Sequence, residues 1–126
     1  MSQYVDTNTK TFEADAAIAL YARVKMDADG KITTAGIGDR DIGIACREAF
    51  AAGDKIPVKL RSGAGTHKMI ASAAMTVGDL AYSAASGKIG ASASGAYLLG
   101  TVLETASADG NIIEVLYNGH GDTVVP

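Results

Sequence analysis

Shifted by 57 residues, the chain aligns with itself without a gap. Residues 12–60 then match residues 69–117 at 14 positions, six of them alanine on alanine. The other eight keep one register: Gly30-Lys31-Ile32 falls on Gly87-Lys88-Ile89, Gly38 on Gly95, Gly43 on Gly100, Gly53 on Gly110, Ile56 on Ile113 and Val58 on Val115. Phe12 with Met69, Ile18 with Met75, Leu20 with Val77 and Ile42 with Leu99 are conservative pairs in the same alignment. A repeat of this kind constrains the fold more than any other feature, because one backbone must serve both copies. The chain reads as a duplicated unit, residues 12–60 and 69–117, joined by the Ser/Gly-rich stretch Arg61 to His67.

That requirement decides segments that are ambiguous alone. Glu13 to Lys25 has the propensity of a helix, but its partner Ile70 to Tyr82 carries Thr76, Val77 and Gly78, a poor helix interior. Ile44 to Ala52 also looks helical, and its partner Thr101 to Asp109 reads as strand then turn. Strands and turns suit both copies. Lys55 to Leu60 alternates, with Ile56, Val58 and Leu60 on one face, and Ile113, Val115 and Tyr117 repeat that face. Asp29-Gly30 and Ser86-Gly87 are hairpin signals, since glycine accepts the positive φ of such turns. Gly53 and Gly110 mark a second turn in each copy. Each unit is expected to hold about four short strands, in keeping with the short-strand, frequent-turn pattern of all-β folds. The predicted fold is all-β: a small β-barrel or β-sandwich built from the duplicated unit. Residues 1–11 are predicted to form an extended N-terminal arm, residues 12–118 one domain, and residues 119–126 a C-terminal tail.

Composition limits function. The chain has 126 residues, a net charge of −3, one cysteine and two histidines. A single cysteine allows no intrachain disulfide, and the Cys/His count is too small for a zinc cage built from those residues alone. The acidic balance argues against neutralising nucleic-acid phosphates. No apolar run approaches the length of a bilayer span. The polar start MSQYVDTNTK lacks the apolar core of a signal peptide, so synthesis in the cytoplasm is expected. Alanine occurs 23 times, glycine 15 times and tryptophan never, a composition poor in the large side chains that line pockets.

Motifs of chemistry are missing. Gly87-Lys88 has Tyr82 where a phosphate loop needs its first glycine. Gly36-Ile37-Gly38 is followed by Asp41 where a dinucleotide fingerprint needs glycine. Asp39 and Asp41 read as a solvated loop, and Gly119 to Asp122 around His120 as a surface turn. Cys46 aligns with Leu103 and reads as a small buried hydrophobe; Met26, Met69 and Met75 read as core filler. His67 falls in the linker. No catalytic, metal or cofactor-binding residues are assigned, and no enzyme activity is expected.

The pattern resembles the family of small phage capsid decoration, or cement, proteins. The residues that carry the resemblance are Gly30-Lys31-Ile32 after a hairpin turn, Asp41-Ile42-Gly43-Ile44-Ala45, and Ala52-Gly53-Asp54 leading into Ile56-Pro57-Val58-Lys59-Leu60. Val77-Gly78-Asp79-Leu80-Ala81-Tyr82, Leu99-Gly100-Thr101-Val102-Leu103-Glu104 and Ile113-Glu114-Val115-Leu116 continue it. Thr66 to Thr76 departs from the pattern, being Ala-rich. The resemblance implies a β-rich, non-enzymatic virion protein bound to the outer capsid surface. Its partner would be the shell of major capsid protein. It implies a homo-oligomer, trimer before dimer, with no nucleic-acid or membrane partner. The alternative class is a ligand- or carbohydrate-binding β module, whose sugar-stacking candidates would be Tyr4, Tyr21, Tyr82, Tyr97 and Tyr117.

Two sets of contact residues follow. An arm without a core of its own orders on a partner, which singles out Tyr4, Val5, Thr7, Thr9 and Phe12 for binding the capsid or a neighbouring subunit. Removal of residues 2–10 is expected to spare the fold. The second set comes from the copies' charge difference. Residues 11–60 carry seven Lys or Arg and eight Asp or Glu, whereas residues 68–117 carry two and four. Arg40 becomes Tyr97, Asp41 becomes Leu98, Lys55 becomes Ile112 and Lys59 becomes Leu116. Ile112 and Leu116 should point outward, where an apolar face needs a cover. Tyr97, Leu98, Ile112 and Leu116 are therefore the expected oligomer interface.

Overall fold

The computed structural model describes residues 7–118 and 124–126. Ten strands form: β1 (Thr9–Glu13), β2 (Arg23–Met26), β3 (Ile32–Thr34), β4 (Gly43–Ala45), β5 (Lys55–Leu60), β6 (His67–Ile70), β7 (Leu80–Ser83), β8 (Ile89–Gly90), β9 (Leu98–Val102) and β10 (Ile112–Leu116). The described residues contain no α-helix, only a 3-10 turn at Ala85–Gly87. The strands make two five-stranded antiparallel sheets, in the orders β1-β5-β4-β2-β3 and β6-β10-β9-β7-β8. A 57-residue shift carries one order onto the other. Bridges outside the strands follow the same shift: Ala14 with Ile32 and Ala71 with Ile89, Ile18 with Ala49 and Met75 with Ala106. The duplication is therefore structural as well as sequential, and the alanine-rich segments that imitate helices run as strands and turns.

Each unit has five strands, one more than the sequence pattern indicates. The extra pair is β1 and β6. Thr9 to Glu13 pairs along β5, from Thr9 opposite Lys59 to Glu13 opposite Lys55. The arm expected over residues 1–11 is therefore shorter, because Thr9 to Thr11 have their backbone groups in this chain's own ladder. β6 likewise starts at His67, so the linker ends one residue before it.

Glycines at equivalent places explain the repeat signature. Gly30 and Gly87 close the β2–β3 and β7–β8 hairpins with φ of 78° and 73°. Gly43 and Gly100 have a different role. A Cβ at Gly43 would run into the carbonyl oxygen of Lys59, and one at Gly100 into that of Leu116, itself the repeat equivalent of Lys59. The neighbouring strand passes too close for any side chain. Where Gly78 takes a positive φ of 94°, the first copy has Tyr21 at φ 66°. A tyrosine held there costs about 1–3 kcal/mol. Its ring packs against both cores, with the Lys68 ammonium 5.6 Å from its centroid.

Each repeat builds its own core. Ala14, Ile18, Ala22, Val24, Ile32, Ala45, Ala49, Ile56 and Val58 form the first; Met69, Met75, Ala81, Ile89, Leu99, Val102, Ile113, Val115 and Tyr117 dominate the second. Each lends one isoleucine to the other: Ile44 packs in the second core and Ile70 in the first. Three expectations about single residues are corrected. Met26 is 41% exposed because it is the last residue of β2: it shares the face of Val24 but lies at the end of the strand, so of the three methionines only Met69 and Met75 fill cores. Cys46 is exposed, lying one residue past β4 and on the side opposite buried Ala45. Asp41, read as part of a solvated loop, is buried at 3% exposure.

Candidate functional site

Burial of Asp41 follows from how the repeats meet. The outer face of the first sheet, the face turned away from its own core, is covered by the second repeat. Arg23, Ile44 and Lys59 stand side by side across β2, β4 and β5 on that face. Arg23 is fully buried. Its Nη1 donates to Asp41 Oδ2 at 3.0 Å, its Nε to the Lys88 carbonyl at 2.9 Å and its Nη2 to the Ala84 carbonyl at 2.7 Å. Nη2 also reaches the carbonyls of Gly36 and Ala35. The guanidinium thus ties carbonyls of both repeats and one carboxylate into a single node, matching its fixed fork of donors. Asp41 Oδ1 accepts the Tyr117 hydroxyl and faces Arg61 Nη1 at 3.5 Å. Burial and the neighbouring Asp41 charge hold the Tyr117 hydroxyl in its protonated form far above the usual tyrosine range. Ser83 Oγ donates to the Ile37 carbonyl at 2.6 Å and accepts from Tyr97 N at 2.8 Å. Gly87 N donates to the Ala35 carbonyl at 2.8 Å. These bonds make the seam between the repeats dry and polar.

His67 closes one end of the seam. It is 2% exposed, its Nε2 lies 3.0 Å from the Leu60 carbonyl, and its ring meets that of Tyr117 edge-on at 4.9 Å. The carbonyl assigns the proton to Nε2, leaving Nδ1 buried without a partner among the described residues. Burial is the main cause that lowers its pKa, with nearby Lys59 adding to it. The unfolded chain then binds a proton more readily than the folded one, so stability falls as pH drops below about 6.5. We expect melting curves at pH 7.5 and 5.5 to show a lower Tm at the acid pH. In His67→Gln that difference should shrink. An equal difference in both proteins would remove His67 as its source.

Asp15, Asp27 and Asp29 bring carboxylates within 4.8 Å of one another. Asp27 Oδ1 spends its capacity on the backbone N–H groups of Asp29 and Lys31, closing the β2–β3 turn.

The second sheet leaves the equivalent outer face uncovered along β7 and β10, while at its β6 edge Ile70, opposite Ile112, turns into the first core. Leu80, Thr101 and Leu116 stand in the row that Arg23, Ile44 and Lys59 occupy in the first. Leu80 is 52% and Leu116 38% exposed. Ile112 is exposed on the same face of β10, while Ile113, Val115 and Tyr117 are buried. Leu98 is partly buried. Tyr97 departs from this group. Its ring lies 5.9 Å from the Arg40 guanidinium, which puts it at the intrachain seam. Of the N-terminal set, Tyr4 and Val5 lie outside the described residues. Thr7 is exposed and donates to the Thr9 carbonyl at 2.9 Å. Thr9 opens β1, and Phe12 packs against the first core with Lys10 5.5 Å from its ring.

Sequence reading overlooked Arg23, Asp41, Ser83 and His67 as a buried group. The signal available was polarity mismatch between aligned positions, since Arg23 stands on Leu80, Asp41 on Leu98 and Tyr117 on Leu60.

A family model described as phage cement protein matches residues 36–117. The chain belongs to the phage cement protein family. This cement protein is thus a structural component of the virion capsid and not an enzyme. Its fold is similar to the crystal structure of the head fiber gp8.5 N base of bacteriophage phi29. The TM-score is 0.72 at 18% sequence identity, covering 87% of this chain and 92% of that one. No curated protein matches the sequence.

Proposed function

We propose that this cement protein binds the outer surface of the assembled capsid as a homo-oligomer and stabilises the shell by bridging neighbouring capsid subunits. The carrying observation is the exposed leucine-bearing face of the second sheet, Leu80 and Leu116, on a protein of the phage cement family. The likeness to the base of a head fibre agrees with attachment from outside. A protein that binds the assembled shell and not its free subunits stabilises the shell by mass action, by about 2.7 kcal/mol per site at a free concentration 100 times the Kd. Particles stripped of the protein should release DNA at a lower temperature than particles with it restored. Equal release temperatures at saturating protein would contradict the proposal.

The N-terminal segment serves the same reading. β1 is an edge strand, and an edge offers unpaired backbone groups to a partner strand. Tyr4, Val5, Thr7, Thr9 and Phe12 are proposed as the capsid-facing or subunit-facing end. The Leu60 N–H donates to the Asn8 carbonyl, and Asn8 Oδ1 accepts from Ala64 N, so truncation that spares the fold must stop before Asn8. Deleting residues 2–6 should leave the Tm unchanged and reduce occupancy on particles; full occupancy would exclude the arm.

Leu98, Ile112 and Leu116, with Tyr97 at their border, are proposed for self-association, as a trimer before a dimer. Covering Ile112 and Leu116 contributes about 1.5–3 kcal/mol per side chain. Ile112→Lys with Leu116→Lys reproduces the lysines of the first repeat. It should lower the mass in light scattering to that of the monomer while the fold persists.

A further inference from the structure

The two repeats meet head to tail and not about a two-fold axis. A Cβ on Gly87 would lie 2.9 Å from the side chains of Ala22 and Thr34 and 3.2 Å from Arg23 N, all in the first repeat. A two-fold contact would press Gly30 against the second repeat in the same way, yet a Cβ on Gly30 would meet nothing within 4 Å. Likewise Arg23 is fully buried while its equivalent Leu80 is 52% exposed. A head-to-tail contact leaves one spare copy of each surface, and spare complementary surfaces join further copies. Here the spare receiving face is on the second repeat and the spare docking end on the first.

The spare surfaces match each other in chemistry. Within the chain, the receiving face supplies Arg23 and Asp41 and the docking end supplies Tyr117. At the spare face the equivalents are Leu80 and Leu98, and at the spare end the equivalent is Leu60. Arg23, Asp41 and Tyr117 are thus each matched by a leucine at the spare surfaces, Leu80 exposed and Leu60 and Leu98 partly buried. Met26, 41% exposed, stands beside that end at the position of Ser83. We propose that protomers associate head to tail, the Leu80–Leu98 face of one copy receiving the Leu60 and Met26 end of another. Polar seams within chains then alternate with apolar seams between chains around a closed ring. This rests on the self-association proposed above and assigns it two distinct surfaces.

The test uses two variants of the full chain, Leu80→Arg/Leu98→Asp, which blocks the receiving face, and Leu60→Asp, which blocks the docking end. Should Leu60→Asp fail to fold by circular dichroism, Met26→Glu, exposed at the same end, replaces it. The parent protein is expected to scatter light as an oligomer and each folded variant as a monomer. Mixed one to one, the variants should form a dimer of twice the monomer mass, because each retains the surface the other lacks. A parent that stays monomeric at tens of micromolar overturns the inference. So does a mixture that stays monomeric, or an oligomer that survives either variant. Co-sedimentation with particles separates the two readings. A monomeric parent that binds particles, and loses binding on Leu80→Arg/Leu98→Asp, assigns the face to the capsid and overturns the ring alone. A ring that never binds particles overturns the capsid reading alone.

Discussion

Asp41→Ala should lower the unfolding free energy by about 3–5 kcal/mol, because it strands the Arg23 charge and the Tyr117 hydroxyl in a seam that excludes water. That is a large share of the 5–15 kcal/mol that holds an ordinary domain together. The loss would fall on the junction of the repeats, since Arg23 ties carbonyls of both. Replacing Arg23, Asp41 and Tyr117 together by leucine copies the residues of the other repeat and removes charge and partners at once. The triple replacement should therefore cost much less than the sum of the three single ones. Urea unfolding of Asp41→Ala and of the four leucine variants measures this. A loss below about 1 kcal/mol for Asp41→Ala, the range of a surface ion pair, would contradict the buried node.

Gly100→Ala is expected to cost about 3 kcal/mol or more, at the upper end of overpacking effects. The added methyl meets the backbone of Leu116 and Asn118, and a backbone cannot rotate away as a side chain can. The β9–β10 pairing would have to part at the edge of the second core. Gly43→Ala should behave alike against Lys59 and Leu60. Gly38→Ala supplies the comparison, since a Cβ there meets nothing within 4 Å, and should stay within about 0.5 kcal/mol of the parent. Thermal melts of the three proteins order them. Equal melting temperatures for Gly38→Ala and Gly100→Ala would refute the close-approach role.

The aligned glycines and the alternation of Ile113, Val115 and Tyr117 carried the fold legibly in the sequence. Comparing the copies removed the helical pull of alanine, because Gly78 and Thr76 could not follow Tyr21 and Ala19 into a helix. The seam was illegible for a physical reason. Period-two alternation marks a sheet with one buried face, and the first sheet is buried on both along β4 and the start of β2. Gly43, Ile44 and Ala45 are all buried, so β4 shows no alternation. Arg23 and Asp41 look like surface charges until the second repeat is placed over them. β1 escaped notice because Thr9, Thr11 and Glu13 are polar or partly exposed along an edge. The outward course of Ile112 and Leu116 was legible since β10 is covered on one face only.

Attachment of this cement protein to the outside of an assembled shell is tested most directly by imaging. Particles stripped of the protein would be mixed with the purified chain, washed and viewed by negative stain beside untreated particles. The account predicts regularly spaced added density on the outer surface of intact shells. Bare shells at saturating protein, or density confined to unassembled subunits, would contradict it.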